Sequence, residues 1–262
     1  MKYVVVDLEA TCWSRTEDPE LALNQNIESE IIEIGAVALD ATLQPLSEFQ
    51  RFVRPERHPK LSGFCTELTS IVQADVDDAP TFPAAYAEFD AWMGGEGGAG
   101  LTFVSWSRYD HRQLCHQCNA AQLPRPKWRA VDAKEEFTQW ARGHTDKRLR
   151  FGMARALAHL EIPQDGTAHR GIDDARNLVK IFQRLRDPAH LSARGREVLE
   201  VMVDRHPLPT HRGHLQEIDR WVKNWFPRVK AELLRLELVA DLGLGRGLTI
   251  TPRGVEVVTA RA

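Results

Sequence analysis

Several features that would place this chain in a special class are scarce or missing. Only four of its 262 residues are cysteine, and the positions of Cys12, Cys65, Cys115 and Cys118 do not suggest a disulfide framework. A reduced, cytoplasmic setting is therefore expected. No apolar run approaches the roughly 20 residues that a membrane-spanning helix needs. The chain starts with strand-like residues, so no signal or transit peptide is expected.

Strong net charge is also missing, because 34 Lys and Arg face 37 Asp and Glu, which leaves −3 at pH 7. The charge is unevenly distributed: residues 188–262 carry 12 Lys and Arg against 9 Asp and Glu, whereas residues 1–187 carry 22 against 28. An acidic first part that binds metal ions and a mildly basic tail are compatible with a nuclease. The hydrophobic content of 43% is enough for one sizeable core and a smaller second unit.

Hydrophobic patterning predicts that the first part, residues 1–187, contains both strands and helices. Three early strands joined by short loops indicate an antiparallel meander, and the later alternation of strands and helices indicates an α/β fold with a mixed sheet. The predicted strands are Tyr3–Leu8, Ile31–Leu39, Phe49–Val53, Leu101–Ser105 and Trp128–Val131. The predicted helices are Pro83–Met93, Arg112–Ala121, Lys134–Ala141, Arg150–Leu160 and Asp173–Arg186.

The tail, residues 188–262, has a different pattern and is predicted to be a small α+β, winged-helix-like domain. Helices are predicted over Ser192–Asp204, Leu215–Trp225 and Pro227–Leu236, with Ser192 as a candidate N-cap and Pro227 in a first turn. A hairpin is predicted from Leu238–Asp241 and Leu248–Gly254. Such a tail could bind duplex nucleic acid, form a homodimer or bind a protein partner.

Five polar residues in three distant segments are the strongest functional signal. Asp7 and Glu9 end a buried strand and, being two residues apart, point to the same face. Asp110 follows the fourth predicted strand, and His169 and Asp174 lie where a loop enters a helix. Neighbouring carboxylates repel each other unless a cation lies between them. Four carboxylates and a histidine are what a two-metal phosphodiester hydrolase needs.

Each segment also has a simpler interpretation when it is taken alone. Asp7 and Glu9 could be a surface acid pair, and Asp110 could be a helix N-cap. The third segment could be a capping segment, in which Asp173 and Asp174 interact favourably with the helix dipole. All three segments together, in this order, make those interpretations less favourable than a metal site.

The chain resembles the DEDDh 3′→5′ exonucleases, a ribonuclease-H-like family, and is most similar to the Eri-type, or 3′hExo-like, RNA exonucleases. The resemblance covers residues 2–186. The segments that carry it are Asp7–Cys12, Glu30–Gly35, Phe64–Ile71 and His169–Asn177.

The resemblance implies a ribonuclease-H-like exonuclease fold and a two-metal mechanism. Asp7, Glu9 and Asp174 would bind the catalytic metal, Asp7 would bridge to a second ion that Asp110 helps to hold, and His169 would be the general base. Two Mg²⁺ ions are expected, with Mn²⁺ as a substitute. The substrate would be the 3′ end of single-stranded RNA or DNA, released as nucleoside 5′-monophosphates. Substrate contacts are expected from Ala10, Thr11, Leu68, Thr69, Ile71 and Trp106.

Two departures from the family pattern and three alternative functions stay open at this point. Ser107 replaces the usual glycine after Trp106, and Arg170 follows His169, which would put an extra positive charge near the scissile phosphate. The alternatives are a DNA exonuclease in repair or defence, a nucleic-acid-binding regulator that uses the tail, and a phosphodiesterase for dinucleotides.

Overall fold

The structure, a computed structural model, describes residues 1–142, 152–191, 193–210, 212–217, 222–243 and 246–260. Within these residues the chain forms two compact units, Met1–Phe182 and Gln183–Ala262. The predicted N-cap Ser192 and the predicted helix start at Arg150 lie outside the described residues.

A five-stranded mixed sheet forms the centre of the first unit, in the order β3-β2-β1-β4-β5. Strands β1, β2 and β3 are antiparallel, and β4 and β5 extend the sheet in parallel to β1. This arrangement confirms the predicted meander and the predicted mixed sheet. The strands are β1 Tyr3–Ala10, β2 Ile31–Leu39, β3 Pro45–Phe52, β4 Thr102–Ser105 and β5 Arg129–Asp132.

Helices lie on both sides of this sheet, and the apolar residues of β1 show why. Val4, Val6 and Leu8 belong to a core cluster that also contains Phe89 of the fifth helix and Leu114 of the sixth. On the opposite face, the ring of Tyr3 lies 5.4 Å from that of Phe182 in the ninth helix. A strand covered on both faces is apolar throughout rather than alternating. The helices are α1 Pro19–Leu23, α2 Gln25–Glu28, α3 Gly63–Thr69, α4 Gln73–Asp77, α5 Phe82–Trp92, α6 Arg108–Ala120, α7 Ala133–Arg142, α8 Met153–His159 and α9 Gly171–Leu185.

Helix α6 begins earlier than its sequence pattern predicts, and this changes the interpretation of Asp110. Ser107 is the N-cap, and its side-chain oxygen accepts a hydrogen bond from the backbone N–H of Tyr109 at 3.1 Å. Asp110 lies in the first turn instead, so the alternative interpretation of Asp110 as the helix N-cap is wrong. The polar start of α6 has no apolar periodicity that could have revealed the additional turn.

The second unit contains helices, a short hairpin and a further helix. In the described residues these are α10 Ala193–Arg205, α11 Val222–Arg235, β6 Val239–Asp241, β7 Leu248–Ile250 and α12 Pro252–Thr259, with 3₁₀ turns at Pro188–His190 and Arg212–Glu217. Strands β6 and β7 are antiparallel, and Thr210 forms an isolated antiparallel bridge to Leu248 of β7.

Two predictions for this unit are wrong. Pro227 lies inside α11 rather than in a first turn, and α12 replaces the end of the predicted hairpin. Inside a helix, proline removes one intrahelical hydrogen bond, and its ring clashes with the carbonyl of the fourth residue before it. Burial of Val229 and Leu233 of α11 in the core of the unit favours the helix against this cost. Among the described residues, no helix is both long and apolar enough to cross a membrane.

Candidate active site

Strand β1 places Asp7 and Glu9 on the sheet face that α9 covers. In the antiparallel pairing, Asp7 lies opposite Gly35 and Glu9 lies opposite Glu33 of β2. Two acidic side chains directly across a strand pair repel each other. This part of the sheet therefore concentrates negative charge at the end of a buried strand.

Asp110 reaches the same region from the first turn of α6. It is 5% exposed, and its Oδ1 accepts a hydrogen bond from the backbone N–H of Leu8 at 3.2 Å. The bond connects two residues that are 102 positions apart. It holds the Asp110 carboxylate against the backbone of Leu8, the residue between Asp7 and Glu9.

The loop before α9 presents His169, and several hydrogen bonds fix the shape of that loop. His169 has a φ of 59°, in the left-handed region, and its backbone N–H donates to Asp174 Oδ2 at 2.9 Å. Thr167 N–H donates to Asp173 Oδ2 at 2.9 Å. The buried Asn177 side chain exchanges two hydrogen bonds with the backbone of Asp165, at 2.9 and 2.8 Å. The His169 side chain is exposed and lies on a defined backbone.

Glu9, His169 and Asp174 come together although about 160 residues separate the first from the others. Each offers one ligand atom, and these atoms lie within 4.8 Å of one another. Among the described residues this is the group of histidine, cysteine and acidic side chains whose geometry could hold a metal ion. Carboxylate oxygens suit hard divalent cations such as Mg²⁺, so the donor set fits such an ion.

The electrostatics of the cluster support the same conclusion. Burial, followed by repulsion from Asp174 and other acids, raises the pKa of Glu9 to about 8. Burial also raises the pKa of Asp110 to about 7 and raises the pKa of Asp174. The pKa of Asp7 is well above its ordinary value, because its carboxyl group is buried and then because Asp110 and Glu9 repel it. Mutual repulsion prevents these carboxyl groups from all being ionised in the absence of a cation, so a bound cation would stabilise their charged forms.

The raised pKa values of the acidic cluster predict how pH and metal ions affect stability. Between about pH 4.5 and about pH 8, folded Glu9 keeps a proton that the unfolded chain has lost. The free energy of unfolding of the metal-free protein should therefore fall as pH rises through this window. Added Mg²⁺ or Mn²⁺ should raise the melting temperature more at pH 8 than at pH 5.5. Thermal melts in EDTA and in each metal would measure both trends. A metal effect independent of pH would contradict the assignment of the acidic cluster as the metal site.

Glu33 is a residue of the site that sequence reasoning did not assign a role. It is completely buried, and its carboxylate accepts hydrogen bonds from Gly171 N–H at 3.0 Å and from Gln50 Nε2 at 2.7 Å. It therefore ties the first residue of α9 to β2. A charged residue within the otherwise apolar run Ile31–Leu39 was the available signal, since glutamate is almost never buried unless it is paired.

Arg170 is held by the same carboxylate. Its Nε lies 3.3 Å from Glu33 Oε2, and its guanidinium lies over the Phe52 ring at 5.2 Å from the centroid. The extra positive charge after His169 is thus compensated by a buried acid and packed on an aromatic ring, which fixes the loop next to His169.

Two glycines allow α9 to approach the sheet this closely. A Cβ atom on Gly35 would lie 2.0 Å from the backbone carbon of Gly171, and one on Gly171 would lie 3.0 Å from the Asp7 carbonyl oxygen. Backbone contacts at such distances cannot be relieved by a side-chain rotation. Because both residues are glycine, α9 can pack directly on β1 and β2, and this brings Asp174 close to β1.

Gly35→Ala should displace α9 and lower both stability and activity. Overpacking costs about 1–3 kcal/mol, occasionally more, and each kcal/mol lowers the melting temperature by about 2–4 °C in a chain of this size. Melting curves would test this against Gly63→Ala, since a Cβ at Gly63 meets nothing within 4 Å. Equal melting temperatures for the two variants would show that the contact with Gly171 is not critical.

The predicted substrate-contact residues differ in how accessible they are. Leu68 is 37% exposed, whereas Thr69 and Ile71 are completely buried, and Thr69 Oγ1 donates to the Cys65 carbonyl at 2.8 Å. Thr11 is 2% exposed, and its Oγ1 accepts from Glu30 N–H at 2.9 Å. Leu68 is therefore available for direct contact with a substrate. The buried Thr69, Ile71 and Thr11 instead hold the backbone segments around Leu68 and Glu9 in place.

The remaining two candidates, Ala10 and Trp106, are both buried. Ala10 ends β1 directly after Glu9 and is 8% exposed. Trp106 is 9% exposed, and its ring centroid lies 6.0 Å from that of Phe137. Its indole N–H is buried without a hydrogen-bond partner among the described residues. Aromatic packing is therefore the role of Trp106 that its contacts support directly.

A mixed sheet with acidic residues at the end of its central strand and a histidine before the last helix defines a nuclease-type site. The comparisons agree, since a family model described as Exonuclease, of the RNase T type, matches residues 4–182. The chain belongs to this exonuclease family and has its ribonuclease-H-like fold.

Named relatives place the chain more closely within the family. The 3′-5′ exonuclease Snipper of Drosophila melanogaster is 30% identical over 209 residues, which are 72% of this chain and 71% of that protein. ERI1 exoribonuclease 2 of Xenopus laevis is 31% identical over 206 residues. Those residues are 70% of this chain but only 28% of the Xenopus protein, so this relative contains much more than the shared domain.

A solved structure supports the same placement. The nuclease domain of 3′hExo, described as a DEDDh family member bound to rAMP, is 31% identical with a TM-score of 0.57. The match covers 70% of this chain and 90% of that one. The resemblance to the DEDDh exonucleases is thereby confirmed.

Proposed function

We propose that the chain is a divalent-metal-dependent 3′→5′ exonuclease that removes nucleoside 5′-monophosphates from single-stranded ends or 3′ overhangs, with RNA as the favoured substrate. The observation that carries the proposal is the convergence of Glu9, His169 and Asp174 within 4.8 Å, beside Asp7 and Asp110. Relatives named as exoribonucleases support the choice of RNA.

In the proposed mechanism, the acidic residues would hold two Mg²⁺ ions, for which Mn²⁺ could substitute. Asp7, Glu9 and Asp174 would hold one ion, and Asp7 and Asp110 would help to hold the second. When bound, such ions would supply a lower pKa for the attacking water and stabilisation of the leaving 3′-oxygen. The exposed His169 would accept a proton from the attacking water, while Glu33 and Arg170 fix the backbone on which it lies.

On the substrate side, the exposed Leu68 would contact the terminal nucleotide, and the buried Ala10 and Thr11 would form the base of the surface beside Glu9. Leu68 offers exposed apolar surface on α3, and Ala10 and Thr11 follow Glu9 directly. Thr69, Ile71 and Trp106 would shape this surface from beneath. Apolar contact with a base is tolerant of its identity, so little sequence preference is expected.

A comparison of RNA and DNA of identical sequence tests the function. Mg²⁺-dependent release of nucleoside 5′-monophosphates from single-stranded RNA, faster than from DNA, is expected, and chromatography identifies the products. Loss of RNA degradation in EDTA is the control. Products that carry a 3′-phosphate would contradict the mechanism, and a faster rate on DNA would overturn the choice of RNA while leaving the chemistry in place.

For the rest of the chain, we propose an exonuclease domain over residues 1–187 and a winged-helix-like domain over residues 188–262. The second unit offers support: β7 pairs with β6 after α11, and it also forms a bridge to Thr210, which lies between α10 and α11. This domain would bind duplex, form a homodimer or bind a protein partner. The unpaired cysteines accord with a cytoplasmic location.

A further inference from the structure

A cavity of about 320 Å³ lies directly beside the catalytic histidine. His169, Asp174 and Ala168 form one wall, and Met153, Arg155 and Leu157 of α8 form another. Small-molecule sites usually start at about 300 Å³, so the cavity is large enough for one nucleotide unit. Neither β1 nor α3, which carry the surface proposed for the terminal nucleotide, contributes to its described lining.

Arg155 is the cationic side chain of α8 in this cavity, and no acidic residue in the described part of the chain compensates its charge. The side chain is exposed, and no ion pair joins it to any of the described residues. Its helix is nonetheless well anchored, because the neighbouring Ala156 and Leu157 are 0% and 2% exposed. A guanidinium presented in this way has its hydrogen-bond donors available for an oxyanion such as phosphate.

The position of the cavity indicates which part of the substrate it would contain. In the proposed function, the scissile phosphate would lie at Glu9, His169 and Asp174, and the terminal nucleotide would extend from there towards β1 and α3. The preceding nucleotide must leave the metal centre in another direction. The cavity opens beside His169 and Asp174 on the α8 side, so it offers that space.

We propose that this cavity binds the nucleotide before the terminal one, and that Arg155 contacts the phosphate on the 5′ side of that nucleotide. This inference rests on the proposed exonuclease function and specifies how the enzyme would recognise a polymer. Met153 and Leu157 give the cavity an apolar wall that would accept any base. The contact with Arg155 would make a second phosphate, rather than a particular sequence, the feature that is recognised.

Two dinucleotides that differ by one phosphate test the proposal. UpU contains only the scissile phosphate, whereas pUpU adds the phosphate that Arg155 would bind. Wild-type enzyme should cleave pUpU with a higher kcat/KM, and Arg155→Ala should remove most of that advantage, about tenfold for one charge-assisted contact. UpU lacks that phosphate, so the loss of kcat/KM on UpU should be much smaller. On oligouridylate, the slope of log KM against log salt concentration should be lower by about one for the variant, as expected for the loss of one phosphate contact.

Arg125→Ala is the matched control, since it deletes the same charge from an exposed position before β5, where Arg125 binds Asn119 at 2.7 Å. Arg155→Lys should keep part of the preference for pUpU, because the charge remains. Equal losses on UpU and pUpU, or a wild-type enzyme that degrades oligouridylate but does not prefer pUpU, would overturn the role of Arg155. Absence of any wild-type activity on oligouridylate would instead refute the exonuclease function itself.

Discussion

Asp7→Asn should abolish nuclease activity while making the metal-free protein more stable at pH 8. The loss of activity should be about 10³-fold or more, equivalent to ~4 kcal/mol of transition-state stabilisation, because Asp7 is proposed to bind both ions. The gain in stability follows from the buried acids that surround it. The pKa of Asp7 is raised by burial and by repulsion from Asp110 and Glu9, so a neutral amide removes an unfavourable charge.

These opposite effects separate a catalytic role from a structural one. Thermal melting in EDTA at pH 8 should give a higher melting temperature for Asp7→Asn than for wild type, by about 2–4 °C for each kcal/mol of repulsion removed. The difference should become smaller at pH 5.5, where the cluster is more protonated. Asp40→Asn is a suitable control, since Asp40 is a half-buried acid outside the cluster whose pKa is lowered by hydrogen bonds from Gln44 and Thr42. A variant that is both inactive and less stable than wild type would indicate that Asp7 is mainly structural.

His169→Asn should reduce kcat by about 10²–10⁴-fold, the usual contribution of a general base. Asparagine is the appropriate replacement because His169 has a φ of 59°, and asparagine tolerates left-handed backbone better than alanine does. The hydrogen bond from the backbone of residue 169 to Asp174 would then be retained. Single-turnover rates at saturating Mg²⁺ would measure the effect on the chemical step.

A second readout distinguishes a base from a metal ligand at this position. His169 lies within 4.8 Å of the ligand atoms of Glu9 and Asp174, so it could bind a metal directly. If His169 is the general base, calorimetric titration with Mn²⁺ should give similar affinities for wild type and His169→Asn. Much weaker binding by the variant would make His169 a ligand and would remove it from the role of base.

The sheet was predictable from sequence because its central strands carry an unambiguous pattern. Ile31–Leu39 was predicted with the bounds that the structure has, since a continuous apolar run bounded by polar residues is typical of a strand covered on both faces. The first residues of helices were harder to predict from the sequence. The first turn of α6, residues 108–111, is mostly polar and contains Asp110 of the acidic site, so local hydrophobicity did not mark the start of this helix.

The acidic site was predictable only in part, for a similar physical reason. The family resemblance predicted Asp7, Glu9, Asp110, His169 and Asp174, and the structure brings these five residues to one region. The supporting contacts depend on tertiary packing instead. Glu33 looks like one polar residue in a strand, and Gly35 like an ordinary glycine, until α9 is placed against them. Arg155 gives no signal at all without the cavity that it lines.

The most direct test of the central claim is degradation of a 5′-labelled single-stranded RNA by wild type and Asp7→Asn, in Mg²⁺ and in EDTA. The predicted result is a ladder of labelled products that shorten by one nucleotide at a time from the 3′ end, with wild type in Mg²⁺ only. Immediate release of a labelled mononucleotide, internal cleavage products, or a ladder that persists in EDTA or in Asp7→Asn would contradict a metal-dependent 3′→5′ exonuclease.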